Sequence, residues 1–133
     1  MFTGCIYLEG SAAMTLNDSK LTRCIARAHG GGASLRGEST MTLVDGVAID
    51  HSEALQGMGG GVQMGGVGLI VAPHRTPVVI SKNRATRGGG ISFMGFLHFR
   101  GGTNTLIQEN MAQDSGGGLY GFSSSARLKA MFL

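Results

Sequence analysis

Proline and cysteine are both scarce in this chain, which has only two of each among its 133 residues. With so little proline and no strict G-X-Y period, a collagen triple helix is excluded. Two cysteines are too few for a disulfide framework. Cys5 and Cys24 could form one bridge or remain two buried thiols. We expect two thiols, and the cysteines therefore indicate no redox compartment.

Long hydrophobic runs are lacking as well. The longest apolar stretch, residues 67–72, is interrupted by Gly68, so no segment approaches the ~18 residues of a membrane-spanning helix. Nowhere does an apolar stripe with helical spacing persist for the length of a helix. Residues 1–10 have neither the basic segment nor the apolar length of a signal peptide. The sequence therefore predicts neither a spanning helix nor a cleaved leader.

Glycine, in contrast, is abundant: it makes up 24 of the 133 residues, or about 18%, whereas an average protein contains about 7% glycine. Four glycine triplets begin at intervals of 29, 29 and 28 residues. A fifth, fainter unit comes first, because residues 3–19 align without gaps on residues 30–46. A fixed period in this range is typical of repeat proteins. The triplets are the repeat's structural residues: Gly30, Gly31, Gly32, Gly59, Gly60, Gly61, Gly88, Gly89, Gly90, Gly116, Gly117 and Gly118.

Each unit continues with apolar residues two positions apart, the spacing of a strand with one buried face. The first such strand predicts two interior columns: Ile6, Ala33, Val62, Ile91 and Leu119, then Leu8, Leu35, Met64 and Phe93. A second strand carries Met14 and Leu16, Met41 and Leu43, Leu69 and Val71, and Leu97 and Phe99. A third, short strand carries Val47 and Ile49, Val78 and Ile80, and Leu106 and Ile107.

Equivalent units of three short strands predict an all-β fold, a right-handed parallel β-helix (solenoid) of about 4.5 coils of 27–29 residues. The array covers residues 1–122, with coils starting near residues 3, 30, 59, 88 and 116. Residues 123–133 match poorly and are expected to be a degenerate, truncated end. No coil can bury its apolar face alone, but a stack can. The alternative is an antiparallel sandwich, which does not repeat a whole multi-strand unit at fixed length.

The glycine triplets are interpreted as one corner of every coil, where the chain turns sharply with φ > 0. A phosphate cradle is the functional alternative, and residues 57–66 are its best candidate. This segment lacks the lysine of a P-loop and the G-x-G-x-x-G spacing, and no helix follows it. No aspartate follows the triplets as a calcium-binding roll requires. We therefore expect no cofactor at the triplets.

Asn83 and Asn110 each follow an isoleucine by three positions and precede a glycine triplet and an aliphatic residue. This arrangement resembles the repeat of the chlamydial-type polymorphic outer membrane proteins, in which F-x-x-N precedes G-G-A-[ILV]. Cys24 and Ser52 stand at the asparagine place in the first two units. The resemblance implies a right-handed β-helix that is displayed on a cell surface or secreted, with a role in adhesion. Asparagines stacked one coil apart can form hydrogen-bonded ladders.

Catalytic and metal-binding patterns are weak. Asp18 and Asp45 share one aligned position in adjacent units and could form a carboxylate pair of the kind that cleaves glycosides. Both, however, are ordinary turn residues after Met-Thr-Leu. The four histidines fall at unrelated places in their units and form no metal-ligand motif. We predict no catalytic, cofactor-binding or metal-binding residues.

The sign of charge alternates along the repeat. The segment before each triplet is basic in the first and third units and acidic in the second and fourth. A nucleic-acid groove would gather basic residues on one face. We therefore expect no nucleic-acid partner, and we expect neighbouring coils to pair opposite charges. The paired segments carry Lys20, Arg23 and Arg27; Asp50 and Glu53; Lys82, Arg84 and Arg87; and Glu109 and Asp114. Glu9 and Arg36 align on another face.

The sequence thus predicts a non-catalytic structural or adhesive segment of a larger surface or secreted protein. Its expected partners are flanking repeats of a longer chain and a surface glycan or protein ligand. The alternative is a fragment of a carbohydrate-active β-helix enzyme, a polysaccharide lyase or glycoside hydrolase. Open ends of a solenoid expose strand edges, so the chain is expected to be part of a longer one.

Overall fold

The computed structural model describes residues 4–71, 76–100, 105–121 and 127–131, and the regular elements of these residues are all β-strands. The chain makes about four coils of four short strands each, followed by two further strands.

The first coil contains β1 (Ile6–Leu8), β2 (Ala13–Leu16), β3 (Lys20–Thr22) and β4 (Ile25–Ala26). The second contains β5 (Ala33–Leu35), β6 (Thr40–Leu43), β7 (Ala48–Asp50) and β8 (Glu53–Ala54). The third contains β9 (Val62–Met64), β10 (Val67–Val71), β11 (Val78–Ser81) and β12 (Arg84–Arg87). The fourth contains β13 (Ile91–Phe93), β14 (Phe96–Arg100), β15 (Thr105–Gln108) and β16 (Met111–Ser115), and it is followed by β17 (Leu119–Gly121) and β18 (Arg127–Met131).

Equivalent strands of successive coils form four parallel sheets. Sheet A has the order β1-β5-β9-β13-β17, sheet B β2-β6-β10-β14-β18, sheet C β3-β7-β11-β15 and sheet D β4-β8-β12-β16. Strands that follow one another in the chain therefore lie in different sheets, and every pairing is parallel to the strand one coil away. The predicted stack of repeat units as a parallel β-solenoid is confirmed. β18, in the region expected to be a degenerate end, continues sheet B in register with β14.

The two interior columns predicted for the first strand are confirmed by the register of sheet A. Ala33 pairs with Ile6 and Val62, and Ile91 pairs with Val62 and Leu119. The second column likewise aligns Leu8, Leu35, Met64 and Phe93. Most of these side chains are fully buried, and Phe93 is only 6% exposed. The core is thus a set of stacked side-chain columns shared by all coils.

Sheet D is a face that the sequence analysis missed, because it predicted three strands per coil. Two of its strands are only two residues long, which is too short for an alternating pattern to be recognised. The inward residue of each strand is an alanine, which also gives a weak hydrophobic signal. Ala26, Ala54 and Ala85 are almost completely buried. Their small side chains let sheet D lie close to the rest of the core.

The predicted register of the second strand is wrong in the third coil. Gly68 and Ile70, rather than Leu69 and Val71, align with the inward residues of β6 and β14. A side chain at Gly68 would overlap the sulfur of Met64, so the long methionine occupies the space that this position leaves empty. Leu106 was also expected inside but is 43% exposed, and Ile107 takes the inward place.

The corners of the coil differ in how strictly their length is kept. From the first aligned residue of sheet C to that of sheet D the spacing is five residues in every coil, as from Ala48 to Glu53 and from Val79 to Arg84. From sheet B to sheet C the same count is seven, eight, twelve and ten residues. Of the four corners, the one between sheets B and C therefore varies most in length, and the one between sheets C and D does not vary.

Candidate functional site

The predicted glycines lie together at the corner between sheets D and A, each triplet hydrogen-bonded to the next. Only the first glycine of each triplet has a positive φ, between 61° and 75°. In the first three triplets the second and third glycines have another reason to be glycine. A Cβ at Gly90, for example, would lie 2.6 Å from the carbonyl oxygen of Gly118 in the next coil. The lack of side chains therefore allows the backbones of neighbouring coils to approach.

Asn83 and Asn110 are brought together at the corner between sheets C and D. The Asn83 backbone and side-chain N–H groups both donate to Asn110 Oδ1, each at 3.0 Å. The same Asn83 amide donates to the Ile49 carbonyl at 2.9 Å, while its oxygen accepts the backbone N–H of Ser52 at 3.0 Å. Asn110 repeats the pattern with the Ile80 carbonyl. The two side chains thus link three consecutive coils.

This ladder continues into the first two coils at the positions where the repeat departs from asparagine. The Ser52 hydroxyl accepts the backbone N–H of Cys24 at 3.2 Å. The residue before each ladder position has a left-handed backbone with φ between 52° and 55°, a conformation that is uncommon outside glycine. The four residues are Arg23, His51, Lys82 and Glu109. Sequence reasoning considered Arg23, Lys82 and Glu109 only for their charge and did not predict the shared backbone conformation, because the four share no side-chain chemistry.

Cys5 and Cys24 form a disulfide, so the expectation of two buried thiols is wrong. The repeat itself explains the pairing. In the upper coils the third glycine contacts the asparagine: a Cβ at Gly61 would lie 3.0 Å from Asn83 Nδ2. Cys5 stands at the place of that third glycine, and Cys24 at the place of the asparagine. The bridge therefore replaces the glycine–asparagine contact in the first coil.

Opposite charges meet between coils at two of the predicted places. Lys20 Nζ lies 3.6 Å from Asp50 Oδ2, and Arg87 Nε lies 2.6 Å from Asp114 Oδ2. Glu53 and Arg84 stand side by side in register without an ion pair within 4.0 Å between them. The expected contact between coils thus forms between the first and second coils and between the third and fourth.

Asp50 has the most elaborate surroundings of these charged groups. Its carboxylate accepts the Thr22 hydroxyl at 2.6 Å and contacts His51 Nδ1 at 3.0 Å. Burial alone would raise the Asp50 pKa, but the hydrogen bonds from Thr22 and His51 and the charge of Lys20 outweigh it. The pKa is therefore lowered from its ordinary value. Since every partner is a donor or a cation, this cluster stabilises the ionised carboxylate.

The aspartates considered as a carboxylate pair lie at the corner between sheets B and C. Asp18 has a left-handed φ of 49° and donates its backbone N–H to the Asp45 carbonyl at 2.8 Å. These are turn positions in adjacent coils. Among the described residues, no three histidines, cysteines or acidic residues are grouped so that they could hold a metal ion. His74 lies outside the described residues.

A groove runs over the outer face of sheet A, and sequence reasoning did not find it. Gln63 lies on its floor, as the middle member of a row of outward-facing residues that are nevertheless buried: Ser34, Gln63 and Ser92. The corners on either side form its walls. We call this space, of about 380 Å³, the sheet A groove; it is lined by His29, Leu35, Arg36, Gly37, Met58, Gln63, Gly65 and Met94.

Three polar side chains of the sheet A groove, His29, Arg36 and Gln63, present hydrogen-bond donors. The Ser34 hydroxyl donates to Gln63 Oε1 at 3.1 Å, which leaves the Gln63 amide NH₂ as its outward group. The backbone N–H of Met58 donates to His29 Nδ1 at 3.0 Å, so the neutral ring carries its proton on Nε2. Burial, and secondarily the charge of Arg36, lowers the His29 pKa. Arg36 itself is exposed, and no lining residue is acidic.

Comparison with known proteins gives no match: no family model fits this chain, and no curated protein or solved structure is detectably similar to it. The resemblance to polymorphic outer membrane proteins therefore remains a prediction from the motifs at Asn83 and Asn110. The part of the chain that the structure describes includes no helix with the length and apolar character needed to cross a membrane.

Proposed function

We propose that this chain is a non-catalytic structural or adhesive segment of a larger surface or secreted protein. The observation that carries the proposal is the disulfide between Cys5 and Cys24, which closes the first coil of a solenoid. Structural disulfides form and persist mainly in oxidising environments, which include the cell exterior and the bacterial periplasm. A bridge at this place is compatible with export and gives a cytosolic location little support.

The ladder supports the same proposal. The sequence of the repeat resembles that of polymorphic outer membrane proteins at Asn83 and Asn110, and in the structure these two residues bind each other and both neighbouring coils. A stack held by such internal contacts presents a long outer surface that can carry a ligand. We propose a surface glycan or a protein as that ligand, and flanking repeats as the structural partners.

The alternative, a carbohydrate-active enzyme fragment, is not favoured by any particular contact. Cleavage of glycosides ordinarily uses two carboxylates, one on each side of the bond. The lining of the sheet A groove contains none. Asp18 and Asp45 lie on another part of the coil, at the corner between sheets B and C.

Two measurements test the proposal. Brief proteolysis of intact source cells, with mass spectrometry of the released peptides, should recover peptides of this chain with Cys5 and Cys24 joined. Beads coated with the full chain should adhere to glycan or protein surfaces, whereas beads coated with the Cys5→Ser/Cys24→Ser variant after thermal unfolding should not. Recovery only from the cytosol with free thiols would contradict the location. Turnover of a polysaccharide by the purified chain would contradict the non-catalytic role.

A further inference from the structure

We propose that the sheet A groove is a binding site for a small organic carboxylate. This inference concerns one face of the coil and does not depend on where the protein is located. It rests on the placement of three donors, Arg36, His29 and Gln63, around one space of about 380 Å³. That volume lies within the range of ~300–1,000 Å³ that is usual for small-molecule sites.

Two of the donors, Gln63 and His29, are held by contacts that fix their orientation. Gln63 is only 8% exposed, and its oxygen is occupied by the Ser34 hydroxyl. His29 Nδ1 is occupied by the Met58 backbone. In each case the acceptor atom is already used within the protein and the donor is left over. A ligand in this groove therefore meets N–H groups, which select an acceptor.

The charge of the groove indicates a single negative charge on the ligand. Arg36 supplies one positive charge, and its planar guanidinium matches a carboxylate with two parallel hydrogen bonds. Glu9, at the aligned position one coil away, accepts the Tyr7 hydroxyl at 2.8 Å and forms no ion pair with Arg36 within 4.0 Å, although both residues act on Tyr7. Burial lowers the His29 pKa and so favours the neutral ring, whose Nε2–H adds a hydrogen bond without a second charge.

The remaining walls distinguish an organic carboxylate from an inorganic anion. Met58 and Met94 both line the groove, and Met94 is 39% exposed although it is apolar. Thioether side chains are flexible and adapt to apolar ligand surfaces. An inorganic phosphate would leave these two side chains unused. A carboxylate attached to a small carbon skeleton would contact them while its charged group binds Arg36.

The test is a titration of the full chain, labelled with ¹³C at the methionine methyl groups, with sodium galacturonate. Galactose, which has the same ring without the carboxylate, and inorganic phosphate are the comparison probes. Galacturonate should shift the methyl signals of Met58 and Met94 and leave those of the buried Met41 and the distant Met111 unchanged. Galactose and phosphate should bind at least ~10-fold more weakly, because each lacks either the charge-assisted hydrogen bonds or the apolar contact.

Arg36→Gln should weaken galacturonate binding ~10-fold or more. Arg84→Gln is the matched control, since Arg84 is also exposed but lies on sheet D, away from the groove. Gln63→Glu, which places a carboxylate on the floor, should abolish the methyl shifts, and unchanged signals of Met41 will show that each variant is folded. No saturable shift with galacturonate, equal binding of phosphate or galactose, or an equal loss in Arg84→Gln would overturn the proposal.

Discussion

Replacement of Asn83 by alanine should destabilise the solenoid more than the small size of the removed side chain suggests. Asn83 is 1% exposed, and its side chain satisfies the backbone N–H of Ser52 and the carbonyl of Ile49. Asn83→Ala leaves both of these groups without their partner inside the protein. An orphaned buried polar group costs ~1–3 kcal/mol, so the free energy of unfolding should fall by about 2–6 kcal/mol. Asn110 loses less, because its oxygen still accepts the backbone N–H of residue 83.

Urea unfolding followed by circular dichroism measures this change from the shift in midpoint at constant slope. Asn83→Ser is an informative second variant, because Ser52 already fills the equivalent place in the second coil and accepts a backbone N–H there. It should lose roughly half as much, since only the Ile49 carbonyl is left unpaired. Asn17→Ala, at an exposed asparagine, is the control. A loss for Asn83→Ala no larger than for Asn17→Ala would refute the reasoning.

Three further predictions concern the core, the disulfide and the dependence of stability on acidic pH. Phe93→Ala removes a large side chain that is 6% exposed and should lower the free energy of unfolding by about 3–5 kcal/mol in urea unfolding. Reduction of the bridge between Cys5 and Cys24, which are 19 residues apart, should lower it by ~3 kcal/mol when unfolding is compared with and without reductant. Asp50 has a folded-state pKa below its unfolded value, so its contribution is present above about pH 4 and is lost as the pH falls through the folded pKa. Asp50→Asn should therefore flatten the loss of thermal stability on acidification.

Each of these predictions has its own check. Phe96→Ala is the control for the core, since Phe96 is partly exposed and should lose clearly less than Phe93→Ala. The Cys5→Ser/Cys24→Ser variant should be insensitive to reductant, and a wild-type chain equally insensitive would contradict the expected gain from the bridge. Acid unfolding curves of wild type and Asp50→Asn that run parallel below pH 4 would show that the carboxylate is not stabilised by Thr22 and Lys20.

The repeat and its inner columns could be predicted from the sequence because both are periodic. Apolar residues recur at the two places of Ile91 and Phe93 in each of the first four units. Residues at the same place in successive units are neighbours in the stack. The prediction failed where one coil departs from the pattern. Gly68 takes an inward position, and the side chain of Met64 fills the space that it leaves. This compensation involves two strands and cannot be recognised from the pattern of either one alone. The missed sheet D follows from its two-residue strands and its alanines.

The disulfide and the sheet A groove were missed for different reasons. Cys5 and Cys24 could have been paired from the repeat, had the contact between the third glycine and the asparagine been known. That contact depends on the cross-section of the coil, and it cannot be predicted from the spacing of residues along the chain. The groove depends on outward positions, where Ser34, Gln63 and Ser92 share neither size nor periodic hydrophobicity. Only the walls on either side of sheet A make the middle residue of this row, Gln63, the floor of a groove.

The unequal corners of the coil have a consequence for how such a chain can change and be engineered. Between sheets C and D the spacing is five residues in every coil, and one added residue there would displace an asparagine such as Asn83 from its two backbone partners. Between sheets B and C the chain already accommodates up to five more residues in one coil than in another without loss of register in either sheet. Foreign peptides, epitopes or affinity tags grafted at this corner in several successive coils should therefore be displayed along one edge, at the ~4.8 Å rise of stacked strands. The scaffold beneath them should stay unchanged.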